Sequence, residues 1–295
     1  AMRVAGEIGI PFITLDLEKE YKKEVVEYMI EEYRKGRTPN PDVMCNAHVK
    51  FGAFYDWAMA QGADYIATGH YARIENDNLL KGNDNNKDQS YFLWTLRKEQ
   101  LNHIIFPIGH LEKPEVRKLA KKYNLSTAGK KDSQGICFIG KIDIKNFLSF
   151  YITPKRGDVL DINNRIIGHH NGSFFFTIGE RHGFTITEKT PNDLPYYIIS
   201  KDLEKNIITV SNKDEKGILP NGVKEIKLNK INWINQEPKI NSTFQARTRY
   251  RQPLGNVRIV NENTIEFEKP QYNISIGQSL VIYSDDICMG GGIIV

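Results

Sequence analysis

The residues in this chain best suited to chemistry are two cysteines, a run of arginines and one histidine. Cys45 lies near the end of Thr38-Pro-Asn-Pro-Asp-Val-Met-Cys-Asn46. Prolines 39 and 41 cannot sit inside a helix. The string therefore predicts a helix N-terminus capped by Asp42, with Cys45 as the third residue of the helix. A thiol there faces unpaired N–H groups and the positive end of the helix dipole, and both favour the thiolate. The alternative is a capped helix carrying a small apolar cysteine in its first turn. Cys137 lies in Lys130-Lys-Asp-Ser-Gln-Gly-Ile-Cys-Phe-Ile-Gly140. Glycines on both sides permit a tightly turned loop, and two lysines could support a thiolate. A buried cysteine between Ile136 and Phe138 is the competing reading. Neither cysteine belongs to a CxxC pair, so no metal site is expected. If both thiols react, the fold must bring them together.

The string Gln245-Ala-Arg-Thr-Arg-Tyr-Arg-Gln252, read as a strand, puts Arg247, Arg249 and Arg251 on one face. Three guanidiniums side by side call for an anion such as a phosphate backbone. Otherwise they form a solvated face paired with acids such as Glu262, Glu266 or Glu268. His70 follows a predicted strand, at the end where ligands of open α/β sheets bind, although a lone histidine there is more often structural. Gly290-Gly-Gly292 reads as close packing rather than a phosphate loop, because no helix follows it. Cys288 reads as a small buried hydrophobe.

These residues need elements to position them. An apolar run over 10–17 reads as a strand. Helical spacing follows over 18–35, with Val25, Val26, Met29, Ile30 and Tyr33 apolar and Gly36 placed to end it. A second helix is expected over 43–61 and a buried strand over 64–68, which is the pattern of a parallel α/β layer. The stretch 83–89 reads as loop, and 90–100 and 114–123 as helices. Beyond residue 150, short β-rich runs replace the helices, including a hairpin at 196–200 and 206–210 and strands over 243–250, 257–260, 264–267 and 279–283. The reading is an α/β domain (1–147), a small central β-rich module (148–215) and a C-terminal β-barrel or sandwich (216–295).

The whole chain has 295 residues, 40 Lys and Arg against 36 Asp and Glu, and three cysteines. This excludes a disulfide-stapled secreted scaffold, points to a reducing cytoplasm, and permits a polyanionic partner without demanding one. No apolar run approaches the ~20 residues that span a bilayer, so no membrane association is expected.

Several strings resemble those of the bacterial tRNA-specific 2-thiouridylase (MnmA) family. They are Gly36-Arg-Thr-Pro-Asn-Pro-Asp-Val-Met-Cys-Asn46, Ala63-Asp-Tyr-Ile-Ala-Thr-Gly-His-Tyr71, Asn86-Lys-Asp-Gln-Ser-Tyr-Phe-Leu93, Lys131-Asp-Ser-Gln-Gly-Ile-Cys-Phe-Ile-Gly140, Phe176-Thr-Ile-Gly-Glu-Arg181, Thr248-Arg-Tyr-Arg-Gln252 and the terminal Gly-Gly-Gly-Ile-Ile. They occur in the family's order from near the start of the chain to its end. The resemblance implies an N-type ATP pyrophosphatase-like α/β domain and replacement of the wobble uridine's 2-oxygen by sulfur. It implies ATP with Mg2+ as co-substrate, and a persulfide supplied by a relay protein or a cysteine desulfurase. Carried over by position, Cys137 bears the persulfide and Cys45 is the partner nucleophile, with a transient Cys45–Cys137 disulfide. Asn40, Pro41 and Asp42 receive the target base, and Asp42 assists proton transfer. Gly69 meets ATP. His70, Lys87, Asp88, Gln89, Arg249, Tyr250 and Gln278 meet tRNA.

The family pattern opens with a Ser-Gly-Gly-Val-Asp-Ser loop for the ATP phosphates. That string occurs nowhere in this chain, which is therefore expected to be an N-terminally incomplete member that binds ATP poorly. The alternatives are a non-catalytic tRNA-binding module and a dithiol redox enzyme. The first leaves both cysteines without a use, and the second leaves the arginines unexplained.

Overall fold

The structure, a computed structural model, describes residues 1–130, 143–187, 193–213 and 218–295. Cys137 and the rest of its loop lie outside the described residues.

The N-terminal part opens with α1 (Met2–Ile8), ended by Gly9 in the left-handed region at φ 70°. The strand expected over 10–17 is irregular chain. Its backbone has no neighbouring strand among the described residues, Pro11 has no N–H to give, and Ile10, Phe12 and Ile13 are exposed. The first expected helix is α2 (Glu18–Tyr21), continuing through a π-helical stretch (Lys22–Glu27) into α3 (Tyr28–Arg34). It buries Val25, Met29, Ile30 and Tyr33, as their spacing predicts. The second runs as α4 (Pro41–Met44), a π-helical stretch (Cys45–Ala53) with a kink at Gly52, and α5 (Phe54–Ala60).

Strand β1 (Ile66–Ala67) pairs in parallel with β4 (Ile104–Ile105). Between them lies a hairpin that the sequence reading missed, β2 (Ala72–Glu75) and β3 (Asn78–Lys81). Its turn is Asn76-Asp77, both at positive φ (50° and 59°), the backbone a two-residue hairpin turn requires. The helix expected over 90–100 is two separate turns, a 3₁₀ turn (Ser90–Phe92) and α6 (Lys98–Leu101). The helix α7 (Lys113–Lys122) falls where expected.

After α8 (Ile144–Ser149), five strands form the central sheet: β5 (Gly157–Leu160), β6 (Ile166–His170), β7 (Phe184–Ile186), β8 (Tyr197–Asp202) and β9 (Ile207–Ser211). Their order is β7-β6-β5-β9-β8, over a core of Val159, Phe176, Ile198, Ile208 and Val210. The hairpin β8–β9 is antiparallel, as predicted.

The C-terminal strands are β10 (Val223–Trp233), β11 (Thr243–Arg247), β12 (Gly255–Asn261), β13 (Thr264–Gln271), β14 (Ser279–Ser284) and β15 (Ile287–Ile294). The order β10-β13-β12-β11-β14-β15 closes into a barrel because β15 also pairs with β10. The expected close packing at the terminal glycines is present. A Cβ on Gly290 would stand 2.1 Å from the Asn232 carbonyl oxygen, and its φ is 138°. Cys288 is fully buried, and burial pushes its thiol up to about 12. The β2–β3 hairpin joins the edge of this sheet through Ile287 opposite Leu80, so the first and last parts of the chain share one sheet. Among the described residues, no helix is long and apolar enough to cross a membrane.

Candidate active site

The sequence places Asp42 as the cap of the second helix. The structure instead caps it with Asn40, whose Oδ1 accepts the Val43 amide at 3.3 Å, and Pro41 takes the first helical position. Pro41 has no N–H to leave unsatisfied, so the helix starts two residues earlier than its apolar periodicity indicates. Cys45 is therefore the fifth helical residue instead of the third, past the unpaired first-turn amides that would have favoured its thiolate. It is fully buried. Asp42 and Cys45 are three residues apart on this helix and share a face. Oxygen Oδ1 of Asp42 is buried with no hydrogen-bond partner.

The loop before this helix is held from two sides. The Thr38 amide donates to the Ile276 carbonyl at 2.8 Å, and the Gln278 side chain donates to the carbonyls of Thr38 and Pro39, each at 3.0 Å. Gly277 (φ 93°) lies so close that a Cβ on it would come within 2.9 Å of the Thr38 oxygen. From the central sheet's side, the Thr38 and Thr177 hydroxyls meet at 3.2 Å. Thr177 is itself fixed by Glu180, whose carboxylate accepts its amide at 3.0 Å and pairs with Lys145 at 2.6 Å.

The arginine run is not a strand face. Strand β11 ends at Arg247 because Gln252 turns back, its Oε1 accepting both the amide and the hydroxyl of Thr248. Arg251 stands in the left-handed region at φ 63°. The three guanidiniums consequently take different surroundings. Arg247 is buried and pairs with Asp88. Arg249 donates to the carbonyls of Ile178 (2.6 Å) and Asn273 (2.7 Å) and to the Ser275 hydroxyl (2.9 Å). Arg251 is exposed, beside the Tyr250 ring. Of the three acids proposed as partners, Glu266 pairs with Arg258 and Glu268 accepts from Asn256.

His70 is buried between the rings of Phe51 and Phe106, with centroids 5.7 and 5.8 Å away, and its Nδ1 lies 2.8 Å from the Thr68 hydroxyl. Burial, then the nearby Lys50 charge, lowers its pKa from 6.5 to about 3, so it is neutral at physiological pH. Gly69 is exposed beyond β1, and a Cβ there would meet nothing. Lys87 and Gln89 are half-buried, whereas Asp88 is buried. Gln89 exchanges two hydrogen bonds with the Tyr71 backbone. The Tyr250 ring lies 4.6 Å from that of Phe92. The anchors Thr177, Ser275 and Tyr283 were not singled out from sequence, because their partners are remote in the chain and leave no local spacing signal.

Comparison with known proteins places this arrangement. Residues 1–141 match the "tRNA methyl transferase HUP domain" family, 145–212 the "tRNA methyl transferase PRC-barrel domain" and 223–294 the "Aminomethyltransferase beta-barrel domain". The chain is 46% identical to the tRNA-specific 2-thiouridylase MnmA of Streptococcus mutans and 44% identical to that of Streptococcus sanguinis, in each case over 99% of this chain and 80% of the relative. The chain belongs to the MnmA family. Its order of an α/β part, a central β module and a closed barrel is the organisation the MnmA-like strings imply. In MnmA terms, residues 40–42, which the resemblance assigns to the target base, directly follow the Thr38-Pro39 segment that the barrel and the central module hold together.

Proposed function

We propose that the protein is a tRNA-uridine 2-sulfurtransferase that converts the wobble uridine of tRNA to 2-thiouridine, consuming ATP and releasing AMP and pyrophosphate. The observation that supports this most directly is the buried, unpartnered Asp42 oxygen, on the same helix face as Cys45 and just after a loop fixed from both sides. A base extruded from the RNA presents a polar edge that satisfies such an atom. The family descriptions name methyl transfer whereas the curated relatives name thiolation. Two cysteines in family-matching strings favour sulfur chemistry.

The uridine 2-oxygen attacks the α-phosphorus of ATP and pyrophosphate leaves. The terminal sulfur of a Cys137 persulfide then attacks C2 and AMP leaves. Cys45 attacks the Cys137 sulfur, which releases the thiolated base and forms a Cys45–Cys137 disulfide that an external thiol reduces. Asp42 assists proton transfer at the base. ATP with magnesium supplies the adenylyl group, and Gly69, open beyond β1, is the residue assigned to meet it. Among the described residues, no group of three or more His, Cys, Asp or Glu is placed to hold a metal of its own. The persulfide comes from a relay protein or a cysteine desulfurase.

Lys87, Gln89, Arg249, Tyr250 and Gln278, all half-buried, are assigned to the tRNA-facing surface. His70 and Asp88, which the resemblance also gives to tRNA, are buried and are assigned to hold that surface in place.

The test is single-turnover thiolation of an unmodified wobble-uridine tRNA with ATP and a persulfide donor, read by mass spectrometry of the nucleosides. ATP-dependent 2-thiouridine with one AMP per product is expected, and neither from Cys137→Ser. Thiolation by that variant, or without ATP, refutes the mechanism.

A further inference from the structure

We propose that Arg247 is a positioning residue: through Asp88 it sets the loop of residues 82–90 in the pose that presents Lys87 and Gln89 to tRNA. This rests on the assignment of Lys87 and Gln89 to the tRNA-facing surface.

Arg247 and Asp88 are 6% and 3% exposed, so neither reaches an RNA directly. They form an ion pair between Arg247 Nη2 and Asp88 Oδ2 that joins barrel strand β11 to the loop. The other oxygen of Asp88 accepts the amides of Gly82 and Ser90, each at 3.1 Å, and these residues are the two ends of the loop. One carboxylate thus closes the loop while the arginine holds that carboxylate.

The guanidinium is fixed in turn. It lies 4.9 Å from the Tyr283 ring centroid and 5.7 Å from that of Tyr91, and donates to the Tyr283 hydroxyl at 2.7 Å. That hydroxyl lies 3.2 Å from the Ser90 hydroxyl. Losing one partner of a pair buried this deeply leaves the other unpaired in a poor solvent. With Arg247 removed, the Asp88 carboxylate loses the group that holds it and is free to swing outward. That movement loosens the two amides that define the loop and moves Lys87 and Gln89 with it.

The test measures tRNA affinity of the full chain over a salt series for Arg247→Gln, Asp88→Asn, the double variant and Lys87→Ala. Misplacement of a contact through a remote group costs on the order of ten- to a hundredfold. Arg247→Gln and Asp88→Asn are each expected to weaken binding by at least about tenfold and to reduce the salt slope by about one, because the displaced Lys87 loses its phosphate contact. The double variant is expected to be no worse than the weaker single one. Lys87→Ala is expected to weaken binding and reduce the salt slope by about one.

Wild-type affinity in Arg247→Gln beside a weakened Lys87→Ala overturns the proposal. So does an effect of Arg247→Gln that adds in full to that of Asp88→Asn, since that marks a direct contact. Wild-type behaviour of Lys87→Ala removes the tRNA-facing assignment, and the proposal falls with it. If Arg247→Gln does not melt cooperatively, Arg247→Lys, which keeps the charge but lacks the planar fork, replaces it under the same criteria.

Discussion

Gln278 donates its side-chain amide to the carbonyl of Thr38 and to that of the next residue, Pro39, both at 3.0 Å. A barrel residue thereby fixes the loop leading into the Asp42 and Cys45 helix. The Gln278 amide nitrogen carries two hydrogens and so serves both acceptors. Gln278→Glu sets a carboxylate against two carbonyls and removes both bonds, each worth about 1 kcal/mol. The expected result is a single-turnover thiolation rate about tenfold or more below wild type at saturating tRNA and ATP. An unchanged rate disproves the link.

His70 makes folding stability pH-dependent in a calculable direction. Its pKa is lowered from 6.5 to about 3 in the native state, so between those values the unfolded chain binds the proton and the folded one does not. Stability is full above pH 6.5 and falls as pH drops toward 3, by up to about 1.4 kcal/mol per unit from this group. His70→Gln is expected to flatten that part of the urea-unfolding profile, and a profile parallel to wild type rules the explanation out.

Cys288 is expected to be chemically silent in the folded protein. It is fully buried, and its thiol is pushed up to about 12 by burial. A maleimide reagent at pH 7.5 is expected to leave Cys288 unlabelled in native protein and to label it in denaturant, read by peptide mass spectrometry. Rapid native labelling contradicts the packing.

Gly290→Ala tests barrel closure. The new Cβ would sit 2.1 Å from the Asn232 oxygen at a φ of 138°. Strand displacement plus backbone strain is expected to cost about 3 kcal/mol or more in urea unfolding, with an unchanged m value. A loss below about 1 kcal/mol means that β10 and β15 part easily.

Much of the architecture was legible locally. Helical spacing of Val25, Met29, Ile30 and Tyr33 marks a buried stripe, and the turn residues after position 150 separate short strands, because side-chain periodicity is set by local backbone geometry. The family-matching strings around Cys45 and Cys137 likewise stand in the sequence, where they mark the family. The irregular chain over 10–17 was not legible, since a strand exists only where a neighbour supplies hydrogen bonds. The β2–β3 hairpin left a weak signal in Asn76-Asp77, which strand length alone does not reveal. The cap moved from Asp42 to Asn40 because Pro41 is free to start the helix.

The arginines separate the two kinds of information most clearly. Their types and spacing were determined by the sequence, and alternation in a strand would have put all three on one face. Tertiary structure decided that β11 stops at Arg247, that Arg247 is buried against Asp88 159 positions away, and that Arg249 ties Ile178 to Ser275. A local pattern fixes the periodicity of an element but not where it ends or what it meets. Those follow from which buried charges and backbone groups find partners once the whole chain has packed.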